Sequence, residues 1–122
     1  IYDAVSEVMT ITKEAFIEND LKKAYSVEPL EQVIDNLKEK LRTRHIERLQ
    51  NGTCTIELGF ILTDFLTNCE RISDHCSNIA ATAIETGLGA LDMHEYLHEV
   101  KSKEIGHYAE YFRNYKEKYT IK

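Results

Sequence analysis

The strongest constraint on the fold lies in residues 56–86. There Leu58, Leu62, Phe65, Cys69, Ile72, Cys76, Ile79 and Ala83 recur at steps alternating between four and three. That alternation is the seam spacing of a helical bundle or coiled coil. It predicts one long helix with this row turned to the core. Thr55 is placed to cap its start through a side-chain oxygen. Gly87 and Gly89 are expected to stop it, and Ala80, Ala81 and Ala83 permit close approach of a neighbour. A helix this long buries its seam only if the rest of the chain supplies partner helices.

The remaining sequence offers them. Val5, Val8, Met9, Ile11, Thr12, Ala15, Phe16 and Ile17 form a broad apolar face, later joined by Leu21, Ala24 and Tyr25, which predicts a first helix over residues 1–25. Asp20 near its end opposes the helix dipole unless something compensates it. The pattern breaks at residues 26–28, and Pro29 suits a first helical turn. A second helix then runs to Gln50 on Leu30, Val33, Ile34, Leu37, Leu41, His45 and Leu49, closed by Asn51-Gly52. Asp92 and Glu95 form a capping box for a further segment carrying Tyr96, Leu97 and Val100, with a break expected in residues 102–106. Tyr108, Tyr111, Phe112, Tyr115 and Tyr119 then trace one aromatic edge of a last amphipathic helix. The expected architecture is all-α: an antiparallel three-helix bundle over residues 1–88, with a C-terminal helical extension over residues 89–122 packing on it.

Charge and cysteine content narrow the function. The net charge of −6 disfavours nucleic acid as a partner, because phosphate backbones are bound by clustered Lys and Arg. The densest basic run, residues 38–48, is interrupted by Glu39 and Glu47 and reads as a solvated face. Cys54, Cys69 and Cys76 are an odd set without a CxxC, which fits free thiols in a reducing compartment rather than a disulfide framework or a thiolate zinc site. No apolar run approaches the ~20 residues of a membrane-spanning helix. Helical periodicity starts at Ile1 itself, so the chain reads as part of something longer.

The chemistry concentrates in two pairs of carboxylates. Glu31 and Asp35 are four apart, as are Glu70 and Asp74, so each pair shares one helix face. The short link around Gly52 makes the second and third helices antiparallel neighbours. Folding the chain about residue 53 brings Glu31 level with Asp74 or His75, and Asp35 level with Glu70 or Arg71. Each pair lies about 100–140° from its own apolar stripe in the same rotational sense, so both face one surface groove. Asp20 is expected at a similar height. Four carboxylates held together call for a counter-charge. A multivalent cation supplies one, and hard oxygen ligands suit iron, manganese, magnesium or calcium. His75 and Asn78 could add contacts. The alternative is that Arg71 or Lys38 pairs these acids in ordinary salt bridges.

The stretches NCERISDHCSNIA and LEQVIDNL together resemble the PhoU family over residues 1–86. That family is built from three-helix repeats carrying paired E(D)xxxD motifs on two helices. The resemblance implies metal ligation, iron or zinc, by Glu31, Asp35, Glu70 and Asp74, and self-association as a dimer; Asp20 and His75 are additional candidates from their expected place beside the groove, not from the resemblance. One repeat plus a tail is most similar to the C-terminal domain of bacterial sodium/phosphate cotransporters. This implies a regulatory domain on the cytoplasmic side of the membrane, joined to a transporter domain in the same polypeptide. The alternatives are a free-standing regulator of phosphate uptake and a helical interaction module without metal.

Enzymatic readings fare less well. His94, Glu95 and His98 match HExxH, a zinc-protease pattern. Asp92 and Glu99 put charge where a buried active helix wants apolar residues, and no later residue is marked as a third ligand. Glu95/His98 and Glu104/His107 resemble the ExxH pairs of di-iron bundles, which need them on two long core helices. His45, at the edge of an apolar stripe, reads as an interior histidine. The chain is expected to act by binding rather than turnover.

Overall fold

The computed structural model describes residues 1–88 and 107–121. Three helices form the bundle: α1 (Tyr2–Glu18), α2 (Leu21–Gln50) and α3 (Ile56–Leu88). A fourth helix, α4, covers residues 107–118. The described residues contain no strand, as the expected all-α architecture requires. The capping box at Asp92, the HExxH pattern and the break over residues 102–106 lie outside the described residues.

The first turn of the chain comes earlier than the apolar pattern predicts. Asn19 adopts the left-handed conformation (φ 54°, ψ 39°) and ends α1. Asparagine tolerates this region better than most residues with a Cβ. Asp20 then caps α2, its carboxylate accepting from the backbone N–H of Lys23 at 3.2 Å. The Asn-Asp dipeptide is therefore the true boundary, and residues 26–28 are helical. Pro29 sits inside α2 and is fully buried. Its ring lacks an N–H and normally disrupts a helix interior. Here its packing in the core offsets that loss.

The α2–α3 connection follows expectation. Gly52 takes a positive φ of 72°, and Thr55 accepts from the N–H of Leu58 at 3.2 Å. Gly87 differs: it lies within α3, and a Cβ there would come 2.8 Å from Leu21 Cδ2. Its role is close helix approach rather than termination. Gly59 does the same at the other end, where the buried ring of His45 fills the notch and a Cβ would collide with Nε2.

The core is built from Ala4, Val5, Val8 and Ala15 of α1, from Val27, Leu30, Ile34 and Leu37 of α2, and from Leu66, Cys69, Cys76 and Ala80 of α3. On α3 the buried row also includes Ser73, so it runs Leu66, Cys69, Ser73, Cys76, Ala80. Along this row Cys69 and Cys76 of the predicted seam are kept, and Phe65, Ile72 and Ile79 each give way to the next residue. Leu66 is 1% exposed, whereas Phe65 is 43% exposed, and Ile72 and Ile79 are exposed likewise. The physical reason is the direction of α1. Thr12 lies beside the Cys76 thiol, which sets α1 parallel to α3 with Tyr2 level with Leu66. Beyond that level, among the described residues, α3 packs on α2, and Leu58, Phe60 and Ile61 are exposed.

The C-terminal helix covers the α1–α2 side. Phe112, Tyr115, Tyr119 and Ile121 pack against the core. Lys118 pairs with Glu7, and the Tyr119 hydroxyl donates to the same carboxylate at 2.6 Å. Arg44 reaches the carbonyl of Ile121 at 3.5 Å. No helix among the described residues is long and apolar enough to cross a membrane.

Candidate metal-binding groove

One face of α2 carries Glu28, Glu31, Asp35 and Lys38 at steps of three and four. The facing side of α3 carries Glu70, Asp74 and Ser77. The two helices run antiparallel, so α3 numbers fall as α2 numbers rise. Ser77 donates to Glu28, Glu31 hydrogen-bonds to Asp74, and the Lys38 ammonium meets Glu70 Oε2 at 2.8 Å. This is the register expected from folding the chain about residue 53. It brings both ExxxD pairs onto a single groove.

Burial decides the electrostatics. Glu31 is only 8% exposed. Desolvation, followed by the charges of Asp35 and Glu28, pushes its carboxyl up to about 8. At neutral pH it therefore holds a proton, which lets it donate to an acidic neighbour. Asp35 is raised as well, chiefly by burial, while its hydrogen bond with Glu31 and the nearby Lys38 pull it down. Its Oδ1 atom is buried without a hydrogen-bond partner, as is Ser73 Oγ. Lys38, its side chain 10% exposed, contacts Glu70 and also Glu39 at 3.4 Å. The Glu70 hydrogen bond holds its ammonium above the usual lysine value.

The donor set is all oxygen, and Asp35 Oδ1 is buried without a hydrogen-bond partner. These features fit a hard cation. Among the described residues, however, no three His, Cys, Asp or Glu side chains converge as a finished cage. Glu70 is turned to Lys38 instead. Of the six residues singled out from sequence, four line the groove. Asp20 does not join them: it lies eleven residues from Glu31, roughly 16 Å along α2, with its carboxylate on the backbone of Lys23. His75 is exposed and shares the outer face of α3 with Ile72 and Ile79. Sequence reasoning missed Glu28 and Ser77. Their positions, three before Glu31 and three after Asp74, extend the same two faces by a turn.

Comparison with known proteins places the chain in a family. The PhoU domain family matches residues 1–83. A phosphate-specific transport system accessory protein, PhoU homolog 1 of Thermotoga maritima, is 27% identical over 106 residues, 87% of this chain. The chain spans 45% of that relative's length. No solved structure matches the chain with significance. The family match covers three-helix bundle and groove together, and the chain belongs to the PhoU domain family.

Proposed function

We propose that this chain is a regulatory domain of phosphate uptake that acts by binding, with Glu31, Asp35, Glu70 and Asp74 as ligands for a metal ion. The observation that carries this reading is the meeting of the two carboxylate pairs across α2 and α3, with Glu31 driven to hold a proton and Asp35 left with an unpartnered oxygen. A bound cation supplies the missing positive charge and ties the two helices together. Oxygen donors of this kind accept iron, and zinc also takes carboxylates. The domain would sit on the cytoplasmic side of the membrane and regulate a sodium-dependent phosphate transporter in the same polypeptide. The relative's name, an accessory protein of phosphate-specific transport, supports phosphate uptake as the process. Elemental analysis of protein purified without chelator or His-tag tests the metal. Near-stoichiometric iron or zinc is expected, falling to background in Glu70→Ala/Asp74→Ala. Metal-free protein whose stability is unmoved by added Fe(II) or Zn(II) would sink the reading.

A second reading rests on the outer side of α1 and α3. Tyr2, Met9 and Phe16 recur every seven residues on α1 and stand level with Phe65, Ile72 and Ile79 on α3, all six exposed. Three apolar layers at this spacing suit a second copy of the chain, docked as a helical dimer. Sedimentation is expected to show a dimer that Phe16→Glu/Ile79→Glu converts to monomer. A monomeric parent at tens of micromolar would remove this role.

A further inference from the structure

We infer that two copies of the chain pair antiparallel through the outer row of α3, with the two-fold axis at Asn68 and ion pairs between Asp64 of one copy and Arg71 of the other. The inference rests on the dimer reading above and is independent of the metal. α3 carries a second seam beside its buried one. Leu58, Ile61, Phe65, Ile72 and Ile79 are all exposed. With Asn68 and His75, also exposed, they recur at steps of three and four. At about 100° per residue this row centres roughly 90° from the buried row, on the side away from the carboxylate groove. An apolar seam sustained at that spacing is the pattern of a helix that meets another helix.

The row is self-complementary, which commits it to a second copy of the chain. Its apolar members lie at matched distances from Asn68: Phe65 three residues before and Ile72 four after, Leu58 ten before and Ile79 eleven after. A second α3 turned end for end about Asn68 sets Phe65 against the partner's Ile72 and Leu58 against the partner's Ile79. Ile61 falls against the partner's His75. Asn68 meets its own copy, and a side-chain amide, being both donor and acceptor, can pair with itself. A single polar residue in such a seam fixes the register.

The charges choose the orientation. Asp64 and Arg71 are exposed on the flank of the row away from α1, four residues before and three after Asn68. Neither side chain has an ion pair or hydrogen bond among the described residues. The end-for-end turn keeps matching flanks on one side of the interface, so Asp64 meets the partner's Arg71 twice over, as two-fold symmetry requires. A parallel pair would put these flanks on opposite edges, where the two charges never meet. On the other flank, Met9 and Phe16 of each copy come near the level of Leu62 and Leu58 of the other, which gives those exposed α1 residues a neighbour.

The test is sedimentation equilibrium at low salt on the full chain, comparing the parent with Asp64→Arg, Arg71→Asp and the double exchange Asp64→Arg/Arg71→Asp. An exposed ion pair contributes little alone. Each single exchange, however, replaces two attractions by two repulsions and should weaken the dimer about 10- to 100-fold. The double exchange restores both pairs and should return to the parent's affinity. Unfolding midpoints measured below the dimer's dissociation constant should agree among all four proteins, because both residues are exposed and unpaired in the monomer. If the parent is a dimer and the single exchanges leave it unchanged, or the double exchange fails to restore it, the antiparallel arrangement is overturned and the dimer reading survives. If the parent is monomeric at tens of micromolar, both fail.

Discussion

Raising the pH from about 5 to about 9 should destabilise the metal-free domain by on the order of 3 kcal/mol, and Glu31→Gln should remove most of that slope. The sign follows from proton linkage. The Glu31 carboxyl titrates near 8 in the folded chain and near 4.3 when unfolded. Between these values the folded state binds the extra proton, so stability is greatest at the acid side and is lost as pH rises through the folded value. Asp35, also raised by burial, adds to the loss in the same direction. Lys38 does not contribute in this window, because its raised value matters only above the ordinary lysine range. Each tenfold difference in proton affinity between the folded and unfolded chain corresponds to about 1.4 kcal/mol. Gln keeps the shape and a donor for Asp35 but cannot ionise. Urea unfolding at several pH values, in chelator, reads the effect. Equal slopes for parent and Glu31→Gln would show that the buried acid is not the source.

The second large effect separates two adjacent residues. Leu66→Ala should destabilise by about 2–5 kcal/mol, the range for emptying a well-packed aliphatic site. Phe65→Ala should cost less than about 1 kcal/mol in the monomer despite removing the larger side chain. Leu66 is fully buried, whereas nearly half of Phe65 remains in water. Chemical denaturation of the two variants decides it. A larger loss for Phe65 would restore the seam that periodicity alone suggested.

That reversal shows where the sequence was readable. The steps of four and three correctly announced a long helix and its bundle spacing. They could not place the centre of the buried stripe, because α3 is apolar over more than half its circumference. Which apolar residues face inward depends on where α1 lies, and α1 leaves the row of Phe65, Ile72 and Ile79 outside. The carboxylate pairs were more legible than the core. One short turn at Gly52 sets the antiparallel register, and every later cross-helix contact in the groove follows from it. The boundary at Asn19 was hidden by Leu21, Ala24 and Tyr25, which continue the apolar pattern of α1 across the turn. Asp20 looked like a misplaced charge at a helix end and is instead the first residue of the next helix's cap. The pairing of Lys38 with Glu70 was one of two alternatives in sequence. Helix spacing could not choose between Lys38 and Arg71, whereas geometry assigns the contact to the residue on the opposing helix.

The middle helix has a consequence of its own. α2 is a party wall: one flank carries the acidic groove against α3, and the other carries α4 through Arg44 and the aromatic edge of Tyr115 and Tyr119. A cation bridging Glu31 and Asp74 would close a chain loop of roughly forty residues and stiffen the α2–α3 hairpin. Neither α1 nor α4 lies within that loop. The ion would thus tie α2 to α3 alone, while the tail is held by a separate set of contacts, to Glu7 of α1 and Arg44 of α2.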